Sequence, residues 1–446
     1  MQRLLEEAHQ YAQLYLESLA SRRVVPEGTS LESLRDLDGG LPEGGQNPSP
    51  VLERLIRVGD RTSLASSGPR FFGFVTGGVL PVAQAASVLT SAWDQNASMF
   101  VHSPLGAKTE EVAIRWCLEA LRLPAQSEGV LTTGATMANF TCLAAARHAV
   151  LRRVGWDVEG DGLFGAPPIT VIVGEEAHVT LYKSLSMLGL GGSRVVKVPV
   201  DGQGRMRADC IPEFAGPTIV CLQAGNVNTG AFDPAAEIVV KAAGAWVHVD
   251  GAFGLWDRVR EDCSQSDGYE LADSWATDAH KWLNVSYDCG IALVKDREAL
   301  EAAMALSASY LVSSTNRDAM RIGPESSRRA RGIELWAALA TLGRQGLREM
   351  VERCCELALV FAREMQRLGG RVLNEVTLNQ VLVSFGSRER TLEIVRKVQE
   401  EGVCWMGSTV WQGETAMRIS VSNWSTTKED VMLSVASIER AMASSQ

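Results

Sequence analysis

The sequence predicts an α/β fold: a mostly parallel sheet with helices on both faces, followed by a smaller C-terminal α+β domain. Three observations carry this. Short apolar runs bounded by small or polar residues recur at 129–132, 168–173, 218–225, 245–250 and 288–294. Most are separated by stretches with helical periodicity, and strands alternating with helices imply a parallel sheet. The chain has 446 residues, 46% of them hydrophobic and 22% charged, which suffices for a large core and a second domain. The expected division is an N-terminal helical segment at 1–65, a large domain at 66–345 and a small domain at 346–446.

Taken in order, Leu5, Ala8, Ala12, Leu16 and Leu19 recur at helical spacing, so 3–20 reads as an amphipathic helix. Its apolar stripe must be buried on its own domain or on a partner subunit. The glycine- and proline-rich stretch 26–50 reads as a loop. Phe71 and Phe72 read as core aromatics. Ser103-Pro104-Leu105 leads into a helix at about 109–121.

The run 129–132 ends in a small-residue turn that opens a helix reaching about 151. Free N–H groups and the dipole at a helix start make an anion site. Gly134 and Ala135 leave the backbone open there, and Thr136 can offer an amide and a hydroxyl. A plain N-cap turn would use the same residues. The run 168–173 is followed by Gly174-Glu175-Glu176-Ala177-His178 and a helix at 179–188. A histidine at the C-terminal end of such a strand faces the ligand crevice or is a buried structural residue. The run 218–225 ends in a polar loop, 226–234. Beyond it, a helical region at 331–368 precedes a strand (378–385), a helix (389–401), a strand (416–421) and a final helix (427–442).

The chemistry centres on Thr277-Asp278-Ala279-His280-Lys281-Trp282. A lysine becomes a catalyst when it can condense with a carbonyl cofactor, of which pyridoxal phosphate (PLP) is the commonest. That cofactor needs an acid at its pyridine nitrogen, and Asp250 closes the apolar run Ala245-Trp246-Val247-His248-Val249 one helix-and-loop length upstream. Alone, each is equally a surface lysine or a strand-end aspartate. Together with the anion site and His178 they point to PLP.

Val249-Asp250-Gly251-Ala252, Asp278-Ala279-His280-Lys281-Trp282 and Asp288-Cys289-Gly290 resemble segments of the group II PLP-dependent amino-acid decarboxylases, such as the aromatic amino-acid, histidine and glutamate enzymes. The resemblance runs from about Arg70 to the C-terminus. It implies the type I PLP-dependent transferase fold with a seven-stranded-type sheet. It also implies a homodimer, with the N-terminal helices and the Ser103-Pro104 loop reaching the partner subunit. Lys281 would carry the cofactor, Asp250 would pair with the pyridine nitrogen, and His178 and Ala252 would sandwich the ring. Gly134, Ala135, Thr136 and His280 would hold the phosphate, Asn228 would face the cofactor, and Phe74 would line the substrate pocket. Lys281, His178 and Asp250 form the expected catalytic set.

The implied reaction is decarboxylation of an L-amino acid, with an apolar or aromatic side chain, to the amine. One departure matters. In the family a loop tyrosine returns a proton to the carbon that has lost CO2. Counting back from Ser327 places it among residues 319–322, where there is none; Tyr310 lies earlier. Oxidative decarboxylation with deamination to an aldehyde is therefore a second reading. A catalytically retired PLP-fold binding protein is a third.

The formal net charge is -10 without a long basic run, which argues against nucleic acid or an anionic membrane as partner. Nine cysteines without framework or CxxC spacing indicate free thiols in a reducing compartment, and no metal site is expected. No apolar run reaches spanning length. The acidic start, Met1-Gln2-Arg3-Leu4-Leu5-Glu6-Glu7, does not suit a signal or transit peptide, so the cytoplasm is the expected location.

Overall fold

Parallel strands buried on both faces read as continuous apolar runs, and the runs at 129–132, 168–173, 218–225, 245–250 and 288–294 all form strands. A computed structural model describes residues 2–305 and 316–445. By internal contacts the chain divides into one unit of residues 79–356 and 374–380 and another of residues 1–78, 357–373 and 381–446.

The first unit holds a seven-stranded sheet. Its strands are β1 (Glu128–Thr132), β2 (Thr170–Gly174), β3 (Val196–Val198), β4 (Thr218–Gln223), β5 (Trp246–Asp250), β6 (Ser274–Asp278) and β7 (Gly290–Val294). Their order is β1-β7-β6-β5-β4-β2-β3. Strands β2 to β6 are parallel to their neighbours, whereas β7 is antiparallel to both β1 and β6. Two reversals make β1 run the same way as β6. Hence β1, β2, β4, β5 and β6 all end on one edge, where open α/β sheets bind ligands. The fold is the type I PLP-enzyme architecture expected. The helix Ala135–Arg152 buries small residues on all sides, among them Ala138, Cys142, Ala145 and Ala146, as befits a central helix.

Strand β1 is an edge strand, and its free backbone groups are covered by side chains. Glu110, fully buried on the helix Pro104–Ala120, accepts from Leu131 N at 3.2 Å and from Arg328 Nη1 at 3.0 Å. Arg328 Nη2 donates to the Leu131 carbonyl at 2.6 Å, and Arg317 donates to the Gly129 carbonyl. The two guanidiniums outweigh burial and hold the Glu110 carboxyl below its usual range. The segment that follows Arg317 is therefore anchored. Ala319 and Ile322 are buried in the apolar core beside the sheet. The span 319–322, where counting placed the missing tyrosine, is thus core-facing and not a free loop. Tyr310 lies outside the described residues.

In the second unit, strands β8 (Arg371–Val372), β9 (Gln380–Ser384), β10 (Gly407–Trp411) and β11 (Glu414–Ser420) form a sheet ordered β10-β11-β9-β8. The N-terminal helix Gln2–Ser18 has no buried residue, and Leu5 and Leu14 are 64% and 60% exposed. Tyr15 reaches the Leu64 carbonyl at 3.2 Å. Phe72 is buried edge-on against Phe361, and Phe71 stacks on Trp405 with centroids 5.0 Å apart. Both are core aromatics, as expected. No helix among the described residues is long and apolar enough to cross a membrane.

Several helices start at proline. Pro48 opens Pro48–Thr62 behind an Asn47 cap, Pro81 opens Pro81–Trp93, and Pro104 opens Pro104–Ala120 behind a Ser103 cap. The last begins five residues before the sequence expectation, because proline suits the first helical turn.

Glu110→Ala would strand two guanidiniums in the interior and uncover β1. Removing one partner of a buried pair costs roughly 3–5 kcal/mol. The expected result is an unfolding free energy lowered by that amount; a value matching the parent protein would show that the edge is held otherwise.

Candidate active site

The residues singled out from sequence in the sheet-bearing unit follow the strand ends. Gly134 follows β1, His178 follows β2, Asn228 follows β4, Asp250 and Ala252 close β5, and His280 and Lys281 follow β6.

Gly134 and Gly290 bring two of these ends together. A Cβ on Gly290 would lie 2.4 Å from the Gly134 carbonyl carbon, so only glycine permits the approach. Gly134 itself has φ 152°, a conformation suited to glycine, and it caps the helix Ala135–Arg152. A carboxylate already sits at this helix start. Asp278, 2% exposed, accepts from Ala135 N at 2.6 Å through Oδ1 and lies 3.0 Å from Lys281 Nζ through Oδ2. Helix starts attract anions through their free amides and dipole.

His280 lies beside them, its Nε2 3.7 Å from Asp278 Oδ1. Its Nδ1 accepts from Cys289 N at 3.1 Å, and its ring packs on Tyr287 at 4.3 Å. An accepting Nδ1 puts the proton of the neutral ring on Nε2, where it is available to an anion. Burial lowers the His280 pKa, which favours this neutral form.

Asp250 is 5% exposed. Burial raises its pKa, while the charges of His178 and Lys281, the Ala252 amide at 3.3 Å and the Asn139 amide oppose that. His178 caps the helix Val179–Met187, with its Nδ1 2.7 Å from Thr180 Oγ1 and its backbone amide donating to Gln223 Oε1 at 3.2 Å. His178, Gln223, Asp233 and Asp250 line one recess.

Thr136 is half-buried, and its carbonyl accepts from Ser184 Oγ at 2.9 Å. In the polar loop after β4, Asn226 is buried and Asn228 half-buried, and Asn226 Oδ1 accepts from the Asn228 amide at 2.8 Å. Phe74 belongs to the other unit, where it is 64% exposed and tilts against Trp405 at 5.0 Å.

Sequence reading assigned no role to Asp278, Asn139 or His248. Asp278 stood in the motif, but its partner Ala135 is 143 positions away. His248 could have been suspected as a histidine inside an apolar strand. It is fully buried, with Nδ1 2.9 Å from Ser274 Oγ and Nε2 2.8 Å from Asn139 Oδ1.

The donor set suits PLP. A glycine-lined helix start that draws an anion, a histidine presenting Nε2–H and a lysine at the same place fit a phosphate and an aldehyde. A buried carboxylate acted on by basic groups fits a protonated ring nitrogen.

Residues 54–387 match the model of the pyridoxal-dependent decarboxylase conserved domain. The chain belongs to the pyridoxal-dependent decarboxylase family. It is a PLP-dependent carboxy-lyase of amino-acid metabolism, and PLP is its cofactor. It is similar to the acidic amino acid decarboxylase GADL1 of Bos taurus, at 29% identity over 76% of this chain and 67% of the relative. It resembles the L-2,4-diaminobutyrate decarboxylase of Rhizobium meliloti at 28% identity over 92% and 86%. It also resembles tryptophan decarboxylase 1 of Oryza sativa at 26% identity over 94% and 89%. A crystal structure of Oryza sativa TDC with PLP and tryptamine superimposes with TM-score 0.90 over 99% of this chain and 97% of that one, at 22% identity. Mouse CSAD gives TM-score 0.90 and 22% identity over 99% and 98%. These two bear on the fold.

Burial pushes His248 down to about 3 and also lowers His280. Below the ordinary histidine value near 6.5 the unfolded chain takes up protons that these folded sites refuse, so stability falls on acidification. Asp250 and the buried Asp233, the latter pushed up to about 6, have the opposite sign, as do Asp257 and Asp273: burial raises them, so the fold takes up their protons first as pH drops, which offsets the loss. The histidine contribution is at most ~1.4 kcal/mol per pH unit for each histidine. Urea unfolding of the cofactor-free parent and of His248→Phe at pH 7 and pH 5 isolates it: between the two pH values the parent should lose more stability, or gain less, than His248→Phe, and equal changes would contradict it.

Proposed function

We propose that this family member removes the α-carboxylate of an L-amino acid with an apolar or aromatic side chain and releases the amine. The observation that carries the chemistry is the buried Asp250 carboxylate, acted on by His178 and Lys281. PLP, when bound, supplies a sink for the electron pair left as CO2 departs.

The chain's own residues serve that sink. Asp250 would hold a proton at the ring nitrogen. Lys281, 3.0 Å from the Asp278 carboxylate, would hold the cofactor through its aldehyde. Gly134, Ala135, Thr136 and His280, the last through Nε2–H, would hold its phosphate. His178 and Ala252 would hold the ring, with Asn228 on the loop after β4. Holding the breaking bond perpendicular to the ring is the remaining requirement.

The substrate class rests on Phe74, an exposed aromatic supported by Trp405. Arg70, the nearby cation, is committed to Asp430 at 3.2 Å and to the Ala20 carbonyl at 2.6 Å. It therefore makes a poor clamp for an acidic side chain. A second reading, oxidative conversion to an aldehyde, is favoured by one observation. Ala319, Met320 and Ile322 are buried apolar residues and supply no acid where the tyrosine was expected. An amino-acid panel assayed together for CO2, amine, aldehyde and peroxide separates the two. Amine from an aromatic or apolar amino acid supports the first; aldehyde with peroxide supports the second; amine from an acidic amino acid alone overturns the substrate assignment.

Lys281→Ala should abolish both turnover and the visible absorbance of the lysine-bound cofactor. Retained activity would remove Lys281 from its role.

The protein is proposed to act as a homodimer. The helix Gln2–Ser18 leaves Leu5, Leu14 and Leu16 exposed, and Leu31, Leu34 and Leu37 follow it. Exposed leucines gathered on two neighbouring segments suit an interaction site. Light scattering at assay concentration should give twice the chain mass; a fully active monomer would refute the assignment.

A further inference from the structure

We propose that His248 and Asn139 are positioning residues for the Asp250 carboxylate, the last links of a one-way hydrogen-bond chain that begins at the Trp246 indole. The proposal rests on the reading of Asp250 as the acid at the pyridine nitrogen.

The direction of the chain follows from its two ends. Trp246 Nε1 lies 2.9 Å from Ser274 Oγ, and an indole N–H can only donate. The Ser274 hydroxyl therefore accepts from Trp246 and has its own proton to give. It lies 2.9 Å from His248 Nδ1 and can donate to it; the other end of the chain decides that it does. His248 then carries its hydrogen on Nε2, 2.8 Å from Asn139 Oδ1. With its oxygen held there, Asn139 directs its amide nitrogen away from the histidine. That nitrogen is buried without a hydrogen-bond partner. Asp250 lies two residues from His248 on the same face of β5 and is the carboxylate within its influence. An ionised carboxylate can only accept.

The Ser274 carbonyl also lies near the imidazole and favours a proton on that side. That tautomer is worse at the other end. A bare Nε2 would require Asn139 to turn over, setting its carbonyl against the Asp250 carboxylate, acceptor to acceptor. The hydroxyl, within bonding distance, and the carboxylate agree on the opposite arrangement.

Water does not compete along this chain. Trp246 is 1% exposed, and Ser274, His248 and Asn139 are 0% exposed. Burial keeps His248 neutral, so the ring holds one proton and the chain has one sense. Partners behind a functional group fix its orientation and strengthen it as a base. Here the tautomer of a histidine that itself lies behind Asn139 sets which atom of the amide meets Asp250. Losing it frees Asn139 to turn over and weakens the carboxylate's hold on the ring proton.

The test uses the holoenzyme loaded with PLP labelled with 15N in the pyridine ring. His248→Phe keeps a ring of similar volume and removes both hydrogen bonds; His248→Gln keeps one donor and one acceptor. In His248→Phe the 15N resonance should move toward the unprotonated position, and the PLP dissociation constant should rise about tenfold, the lower end of the effect of removing partners behind a ligand. His248→Gln should restore both. If His248→Phe does not fold, Ser274→Ala carries the same test, because it releases the tautomer without touching Asn139. A folded variant with lowered melting temperature but unmoved resonance and dissociation constant would overturn the proposal, leaving the chain as core packing. Asp250→Asn separates the two levels. If it moves the resonance and His248→Phe does not, the relay alone falls. If it leaves the resonance unmoved, the reading of Asp250 falls and the relay with it.

Discussion

The approach of two backbones, Gly134 and Gly290, is the constraint on which the rest of the site depends. No side chain fits between them. Their contact sets the start of the helix Ala135–Arg152 against the end of β6, so that the Asp278 carboxylate reaches the Ala135 amide and Lys281 stays within reach of both. A methyl group at Gly290 would push these elements apart, and the amide, the carboxylate and the ammonium would separate together. The elements around them have little slack. The helix is buried on all sides, and many of the positions it packs with are alanines.

Electrostatics complete what the glycines begin. Two buried carboxylates, Asp250 and Asp278, stand among Lys281, His178 and His280. Burial alone would protonate Asp250, and each neighbouring positive charge or amide donor works against that. Asp278 sits between the helix start and Lys281. The site is an arrangement of charges held in low dielectric, where small changes of position alter ionisation strongly. This explains why so much structure is devoted to orienting a few atoms, from the Cys289 amide behind His280 to the Trp246 indole behind His248.

The sheet was legible because strands buried on both faces are continuous apolar runs. Lys281 and Asp250 were legible because the chemistry requires those residue types in that order. Other features were hidden for definite physical reasons. Pro48, Pro81 and Pro104 start helices, yet proline in sequence also marks a break. Strand β6, Ser274-Trp275-Ala276-Thr277-Asp278, is wholly buried, but its polar residues conceal that. Asp278 could not be given a role because its partner lies across the fold. The span 319–322 comes from counting, which cannot see that a short 3-10 turn at Ala319–Arg321 folds Ala319 and Ile322 into the core. The prominence of Asn226 over Asn228 depends on which side chain a turn buries, and both residues have the same composition.

The reversed strand β7 has a consequence for how the protein comes into being. It pairs with β1, joining Glu128 to Val294, and with β6, which just precedes it. Until β7 has formed, β1 has no strand to pair with, and Gly134 is held near Lys281 only by the packing of its helix on β5 and β6 and by the Asp278–Ala135 hydrogen bond. Closing so long a loop is entropically costly and slow. The glycine cradle and its lysine are therefore among the last features to assemble during synthesis. A ribosome-bound chain that has exposed Lys281 but not residues 290–294 carries that amine without the pairing of β7 beside it. With Lys281 as the proposed anchor, capture of the cofactor would be tied to the closure of the sheet.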